Sequence, residues 1–360
     1  MSDVLARIRV RETAGIRRFL YPLTVIMPLP DGAGMFTTGL QTSDGQEIPL
    51  LISSASGVEE PPHRLDFAVS LEPLSTLDLL LVSGRAPMLV ADPLRVNVSQ
   101  ESNCLRSKQQ RFQMDIDWDS NIKSVVYDQI SHLQHESSVT RNSEVMERYD
   151  YRNLFGDDLI SAWTVAYGKY NDSCATWSRV ELTACKSWAT ITHHLEQPKP
   201  NDEVVFTLPL AITSPTLTCD FGVGGYVFGK LDEKAPEIVW RTEFMDAPYA
   251  RWTVATAGRT DYVGEVATAE EFRPQRWFHL IDSDKALAVA ITQVPLDCRE
   301  MTVRLTHEGD VSVAFKLGDA VTGHADFGVC YHFLNDVPAI AAATNPQSIL
   351  LPPVVEVLPV

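Results

Sequence analysis

Positive charge is scarce in this sequence. Of its 360 residues, 30 are Lys or Arg and 47 are Asp or Glu, so the formal net charge is −17. A surface this acidic repels nucleic-acid phosphates and anionic membranes. We therefore expect neither nucleic acid nor membrane among the partners. An anionic substrate requires a local cluster of Arg, Lys and His that overrides the global field.

Long apolar runs are also missing. No window approaches the roughly 20 uninterrupted apolar residues that span a membrane, and the arginine-containing N-terminus lacks the apolar region and cleavage site of a signal peptide. None of the six cysteines forms a C-x-x-C pair, which indicates buried free thiols. Together these features predict a cytoplasmic protein.

Common catalytic signatures are absent as well. There is no G-x-S-x-G elbow for a serine nucleophile and no H-x-H or H-E-x-x-H spacing for zinc. The glycine-rich stretch 221–229 departs from G-x-G-x-x-G, because Val227 stands where the third glycine is needed. A strand-like bend or bulge explains it better than a phosphate loop. We predict no cofactor and no metal site.

Strand signals, in contrast, recur along the whole chain. Residues 65–71 and 112–118 alternate between apolar and polar side chains, as a half-buried strand does. Many short runs of this kind, separated by turn residues, favour a sandwich or barrel. The sequence predicts an all-β fold, with a small N-terminal barrel-like domain at 1–103 and a large antiparallel, supersandwich-like β-sandwich at 104–360.

Three polar or proline-rich segments interrupt the strand pattern. Residues 101–112 are interpreted as the connector between the domains. Residues 131–158 are predicted to form a long surface loop or a short helix, and such loops often carry function. The tail 349–360 is predicted to be an extended segment across the domain or an edge strand.

Two predicted strands place a histidine among aromatic residues, at 276–279 and at 331–333. Imidazole titrates near neutrality and suits acid/base work, while aromatic faces stack on sugar rings. In each case the alternative is a structural histidine, in the core or on the surface, whose ring nitrogens are already hydrogen-bonded. The residues predicted to be catalytic are His279, His332, Tyr331 and Arg276.

Aromatic and charged side chains also gather elsewhere. Residues 240–252 contain two Trp, two Arg and two acidic residues, the mixture of flat faces and hydrogen-bonding groups that a carbohydrate site needs. The alternative is a strand–turn–strand unit with a solvated charged face. The residues predicted to bind substrate are Arg241, Glu243, Trp252, Trp277, His194, Asp220 and Tyr226.

The N-terminal residues 12–18 (ETAGIRR), 21–24 (YPLT), 29–32 (LPDG) and the turn at 45–49 resemble the RIFT-barrel domain of the rhamnogalacturonan exolyase-like family. From about residue 105 the pattern resembles the supersandwich of galactose-mutarotase-like proteins. The second resemblance implies a site on the concave face of the sandwich, where His and Arg act on a sugar ring. Larger members of the first family carry a catalytic helical domain that this sequence lacks.

These observations favour a carbohydrate-active enzyme that cleaves a glycoside or a uronic-acid-containing oligosaccharide by β-elimination. Arg276 or Arg241 would neutralise the uronate carboxylate. His279, His332 or Tyr331 would abstract the proton α to that carboxylate.

Two alternatives remain open. Hydrolysis needs two carboxylates, for which Asp220, Glu243 and Asp246 are the candidates. A non-catalytic carbohydrate-binding or assembly β-sandwich would use the same aromatic residues without an acid/base pair. A homo-oligomer is possible under each hypothesis.

Overall fold

The structure is a computed structural model that describes most of the chain in segments. Backbone alone is described at 54, 96–98, 100–101, 104–105, 107–108, 153–154, 156–159, 219–220, 225–230, 250–256 and 259–266. The described segments are residues 3–30, 33–54, 62–89, 96–101, 104–108, 111–154, 156–159, 161–183, 186–220, 225–231, 233–234, 236–244, 250–256, 259–266, 276–282, 285–321, 323–335 and 348–358.

Two antiparallel sheets form the N-terminal unit and pack around a shared apolar core. The five-stranded sheet contains, in spatial order, β31 (Val354–Leu358), β1 (Val4–Arg11), β7 (Thr76–Ser83), β3 (Thr38–Thr42) and β4 (Glu47–Ile48). The three-stranded sheet contains β2 (Arg18–Met27), β6 (His63–Leu71) and β5 (Leu50–Ser54).

Three larger antiparallel sheets form the sandwich. The six-stranded sheet contains β12 (Ile130–Ser131), β11 (Ile122–Tyr127), β10 (Phe112–Asp117), β9 (Cys104–Lys108), β8 (Val96–Glu101) and β16 (Gly156–Leu159). The eight-stranded sheet contains β14 (Glu144–Val145), β13 (Ser138–Arg141), β20 (Glu203–Pro209), β29 (Asp310–Leu317), β28 (Cys298–Thr306), β23 (Glu237–Phe244), β24 (Ala250–Thr256) and β25 (Arg259–Val266). The nine-stranded sheet contains β15 (Glu147–Leu154), β17 (Ser161–Lys169), β18 (Ala175–Thr183), β19 (Trp188–Leu195), β30 (Ala325–Leu334), β27 (Ala286–Gln293), β26 (Trp277–Ile281), β21 (Thr216–Asp220) and β22 (Gly225–Lys230).

Strand β30 shows how the nine-stranded sheet is buried on both sides. Tyr331 and Phe333 belong to the core between the large sheets. Cys330 points the other way and belongs to the core of the N-terminal unit. Because successive side chains of a strand alternate between faces, this sheet supports two separate cores.

Strand β6 joins the N-terminal unit to the sandwich in the same manner. Leu65 and Phe67 are fully buried in the N-terminal core. The intervening Arg64 and Asp66 are also buried, and Arg64 contacts Glu181 of the nine-stranded sheet. The polar face of β6 is therefore packed against the sandwich rather than solvated.

The predicted all-β class is confirmed. Among the described residues, the helical state occurs at 348–350, and no described helix has the length and apolar character needed to cross a membrane. Buried free thiols are confirmed at Cys174, Cys298 and Cys330. We retain the division at 103/104 as a proposal, and note that β8 pairs with β9 across it while β31 pairs with β1.

Two local predictions were wrong. The supposed connector at 101–112 contains β9 and the end of β8, and the polar region 131–158 contributes several short strands. Strand β15 is exposed on both faces at 147–152, so it has no apolar alternation to reveal it. Of the two alternatives predicted for the tail, an extended segment or an edge strand, the structure shows the edge strand, since β31 lies at the edge of the five-stranded sheet.

Candidate functional site

Antiparallel pairing aligns side chains in rows across the nine-stranded sheet, and paired residues share a face. In one row Trp188 pairs with His332, His332 with Ala288, and Ala288 with His279. The two predicted catalytic histidines are thus two strands apart, with Cα atoms about 10 Å from each other. The sheet places only the methyl group of Ala288 between them.

The next row on the same face lies two residues along each strand. It contains Glu181, Thr190, Cys330, Ala290 and Trp277. Cys330, Ala290 and Trp277 pack into the core of the N-terminal unit. This face of the nine-stranded sheet is therefore the one that the N-terminal unit covers.

A cleft of about 240 Å³ opens between the three-stranded sheet and this face. Strands β2 and β6 form one wall, and β17, β18 and β19 form the other. The lining combines aromatic rings, hydroxyl groups and two carboxyl groups. The residues that line it are Tyr21, Pro22, Leu23, Thr24, Asp66, Ser161, Glu181, Thr183, Trp188, Thr190 and Ile349.

One guanidinium binds both cleft carboxylates. Arg64 Nε donates to both oxygens of Asp66 at 2.9 Å, and Arg64 Nη2 donates to Glu181 Oε1. The Thr24 hydroxyl donates to Asp66 Oδ1 at 2.6 Å, and the Ser161 hydroxyl donates to Glu181 Oε1 at 2.9 Å. Because Arg64 and Asp66 come from β6 and Glu181 from β18, this ion cluster ties the two units together.

The two carboxyl groups have pKa values shifted in opposite directions. Burial raises the pKa of Asp66, and its contacts with Arg64 offset this effect only in part. Burial also acts on Glu181, but the charges of Arg64 and Arg179 outweigh it and lower the pKa. Arg179 Nη2 lies 2.8 Å from Glu181 Oε2. Neighbouring carboxyls with divergent pKa values are typical of acid/base pairs.

Trp188 lines the cleft and lies next to His332 in the same row, so it stands between the cleft and the two histidines. Its ring meets the Tyr21 ring edge-on, with centroids 5.6 Å apart, and meets the His332 ring edge-on at the same distance. Lys186 Nζ lies 5.5 Å from the indole centroid. The indole N–H is buried and has no hydrogen-bond partner within the described segments, so the contacts seen there that hold the side chain are ring contacts.

The two histidines are buried with unsatisfied ring nitrogens. His279 is fully buried and neither of its nitrogens has a hydrogen-bond partner among the described side chains and backbone, whereas His332 is 9% exposed and its Nδ1 has none there. Burial lowers the pKa of His279 to about 4. Burial, together with the charge of Lys186, lowers the pKa of His332 to about 3. At neutral pH both imidazoles are neutral, so each carries one N–H donor and one acceptor nitrogen.

Trp277 shares the face of these histidines, but Tyr331 does not. Tyr331 precedes His332 on β30 and therefore points into the sandwich core, where it is 1% exposed. Burial there raises the pKa of its phenol well above the ordinary value. Arg276 lies one residue before β26, and its carbonyl accepts a hydrogen bond from Ile291 N at 2.8 Å. The predicted catalytic set is thus only partly brought together.

Arg241 and Glu243 lie on the eight-stranded sheet of the sandwich. Both side chains are exposed on β23, while the intervening Trp240 and Thr242 are buried. Arg241 Nε lies 3.2 Å from a carboxylate oxygen of Glu300 on the same surface. Since stacked sheets are about 10 Å apart, Arg241 cannot share a substrate with His279 on the far face of the sandwich.

His194 shares the face of Trp188 but lies six residues further along β19, about 20 Å away. Its ring stacks on Trp177 with centroids 5.1 Å apart, and its Nδ1 lies 2.6 Å from Asp326 Oδ1. This is a separate surface cluster. Within the described residues, no group of three or more His, Cys, Asp or Glu is arranged to bind a metal ion.

Several predicted residues cannot be placed at side-chain level. The backbones of Asp220, Tyr226 and Trp252 lie in β21, β22 and β24, but their side chains lie outside the described residues. Residues 221–224 of the glycine-rich stretch and Asp246 also lie outside them.

The sequence did not point to the cleft residues Asp66, Glu181 and Trp188, nor to Arg64, which pairs with the two carboxylates. The alternation at 65–71 predicted a half-buried strand, with no indication that its polar side is buried too. One available signal was the pair of opposite charges two residues apart, at Arg64 and Asp66, within an apolar strand. Side chains two apart on a strand share a face, so such a pair predicts a buried ionic contact.

No protein-family profile matches this sequence, and no curated protein matches it. A glycosyl hydrolase family 38 protein from Enterococcus faecalis has a similar structure, with a TM-score of 0.58, 8% identity, and coverage of 98% of this chain and 47% of that one. An alpha-mannosidase from Enterococcus faecalis V583 is also similar, with a TM-score of 0.58 and 8% identity. The match covers 98% of this chain and 46% of that one. A galactose 1-epimerase from Lactobacillus acidophilus NCFM matches with a TM-score of 0.39 and 9% identity, covering 67% of this chain and 99% of its own. The chain therefore spans about half the length of the two glycosidase structures and shares their fold over that part.

Proposed function

We propose that this protein is carbohydrate-related and binds a neutral glycosyl unit in the cleft between the N-terminal unit and the sandwich. The observation that carries the proposal is the lining, which sets the Trp188 and Tyr21 rings beside the carboxyl groups of Asp66 and Glu181. Sugar rings have apolar C–H faces and polar edges, so they need both kinds of group. Fold similarity to a glycosyl hydrolase family 38 protein and to an alpha-mannosidase is consistent with this role.

The size of the cleft limits the ligand. At about 240 Å³ it falls below the roughly 300–1,000 Å³ typical of pockets for drug-sized molecules. One sugar ring fits this space better than an oligosaccharide does. A terminal residue of a longer glycan is the expected occupant.

The charge of the lining argues for a neutral sugar. Two carboxyl groups line the cleft, and the described lining residues include no Arg or Lys. β-Elimination from a uronate needs a cation beside the substrate carboxylate, so the favoured lyase hypothesis has no support in this cleft. Arg64 is already paired with both carboxyl groups, so a uronate would have to displace one of them to reach this guanidinium, and a neutral sugar is the expected ligand.

Glycoside hydrolysis is a second candidate function, which the divergent pKa values of Asp66 and Glu181 favour. Asp66 would be the acid and Glu181 the nucleophile or base. Against this role, Glu181 Oε1 already accepts bonds from Arg64 and Ser161, while Arg179 lies beside Oε2. Binding is therefore proposed first and hydrolysis second.

Calorimetric titration with methyl hexosides and with glucuronic acid tests the binding proposal. We expect at least one neutral methyl hexoside to bind, and glucuronic acid to bind far more weakly. Replacing Trp188 by Ala removes the flat wall and should weaken binding roughly tenfold, given about 0.5–1.5 kcal/mol for an aromatic contact beyond its buried area.

Trp177→Ala is the matched control, because Trp177 lies on the same sheet face beside His194 and away from the cleft. Equal weakening in both variants would contradict the assignment, as would a complete absence of hexoside binding. Release of reducing sugar from aryl hexosides, compared with Glu181→Gln, separates hydrolysis from binding alone.

A further inference from the structure

In the part of the chain that the structure describes, four polar side chains with unpartnered atoms lie together in the two rows at and beside the cleft. They are His279, His332, Trp188 and Trp277, each at most 9% exposed. A buried polar atom without a hydrogen bond costs about 1–3 kcal/mol. Native proteins keep such groups mainly where water or a ligand supplies the missing partner.

These atoms form a donor and acceptor array on one side of the sheet. Both imidazoles carry one donor and one acceptor when neutral, and each indole contributes an N–H donor. The residue between the imidazoles is Ala288, whose methyl group supplies no polar partner. An array of neutral donors and acceptors matches hydroxyl groups better than it matches ions.

We infer that His279 and His332 form an inner subsite of the cleft, which binds hydroxyl groups of an uncharged polyol or sugar after the Trp188 indole moves aside. The inference rests on the proposed function, because the same ligand occupies both parts of the cleft. Ring contacts alone hold Trp188 between Tyr21 and His332. Its rotation therefore breaks no hydrogen bond.

His193 provides an internal reference for this inference. It precedes His194 on β19, so its side chain points to the sheet face opposite that of His194, and it is 1% exposed. Its Nδ1 lies 2.6 Å from the Ser178 hydroxyl, and its Nε2 lies 3.1 Å from the Tyr170 hydroxyl. A buried histidine with a structural role in this protein is thus fully hydrogen-bonded, unlike His279.

Nitrogen-15 spectra of the histidine rings test the inner subsite. The probes are glycerol and the methyl hexoside that binds best in calorimetry. We expect saturation to shift the ring nitrogens of His279 and His332 and to leave those of His193 in place. His332→Gln should weaken hexoside binding about five- to tenfold, as loss of one hydrogen bond predicts, and the exposed His324→Gln should not.

The possible outcomes separate the two proposals. If the hexoside binds and Trp188→Ala weakens it, but no shift occurs at His279 or His332, the inner subsite is wrong and the cleft assignment stands. Shifts at His193 equal to those at His332 indicate a global change and also overturn the subsite. If glycerol shifts the histidines but no hexoside binds, the subsite stands and the proposed function fails. If neither probe has an effect, both are overturned.

Discussion

His193 and His279 are both buried in the nine-stranded sheet, yet among the described residues only the ring nitrogens of His193 have hydrogen-bond partners. Burial lowers the pKa of His193 to about 3 and that of His279 to about 4. Both are therefore neutral in the folded protein at neutral pH. The hydroxyls around His193 compensate for its burial, whereas no hydrogen-bond partner for His279 is found among the described residues.

A substitution at His279 should consequently change the pH dependence of stability. In the unfolded chain its pKa is 6.5, and in the folded protein it is about 4. As the pH falls, the unfolded chain binds a proton at His279 before the folded protein does. The contribution of the neutral His279 to the unfolding free energy is therefore fully present above pH 6.5 and is lost as the pH falls toward 4. Between pH 7 and 5 this loss amounts to about 2 kcal/mol.

His279→Leu removes that titration at similar side-chain volume. We expect the fall in unfolding free energy between the two pH values to shrink by about 2 kcal/mol, measured by urea denaturation. Stability at neutral pH should stay equal or rise, because an unpaired polar group is replaced by an apolar one. An unchanged pH dependence would show that His279 is already protonated or hydrogen-bonded in the native state.

Strand parity decides which of the residues predicted to be catalytic share a sheet face. His279 and His332 were selected for their aromatic surroundings, and the pairing through Ala288 places them in one row. Tyr331 was selected for the same reason, but its adjacency to His332 sends it to the other face. Which strands pair is a long-range property, so a single sequence could not show that Trp188 and Glu181 join them.

The C-terminal segment is held to the N-terminal unit by a buried ion pair. Arg18 Nη2 donates to Glu12 Oε1 at 3.0 Å, and both side chains are fully buried. Glu12 also accepts backbone N–H bonds, including one from Gly15 at 2.8 Å. Arg18 Nη1 donates to the Ser348 carbonyl at 2.6 Å. The residues 12–18 that carry the barrel resemblance thus fix the segment whose Ile349 lines the cleft.

Arg18→Met should therefore be strongly destabilising. Breaking a buried pair leaves Glu12 without its cationic partner and costs about 3–5 kcal/mol, and hydrogen exchange in β31 should accelerate. Arg17→Met is the control, because Arg17 pairs with Glu72 on the surface with side chains 74% and 65% exposed. Exposed pairs contribute at most about 1 kcal/mol. Similar losses in the two variants, measured by urea denaturation, would contradict the structural role of the buried pair.

Element prediction worked for half-buried strands and failed for the exposed ones. Residues 112–117 show apolar alternation and form β10. Strand β15 carries charges on both faces and shows no such alternation, so its region was predicted to be a loop or helix. Edge strands are often charged in this way because charge discourages pairing with other chains, and that same property removes the sequence signal.

At the scale of the whole molecule, the N-terminal unit acts as a cover on the outer face of the sandwich. The all-β class followed from the sequence pattern. The location of the candidate site did not, because it depends on how β6 meets β18 through Arg64, Asp66 and Glu181. The predicted site on the other sheet, at Arg241 and Glu243, lies on the opposite side of the molecule.

These two locations make the central claim directly testable. The decisive measurement is a crystal structure of the protein grown with the methyl hexoside that binds best. We expect the sugar ring to lie against Trp188, with hydroxyl groups within hydrogen-bond distance of Asp66 or Glu181. A sugar bound instead on the outer face of the eight-stranded sheet, beside Arg241 and Glu243, would contradict it.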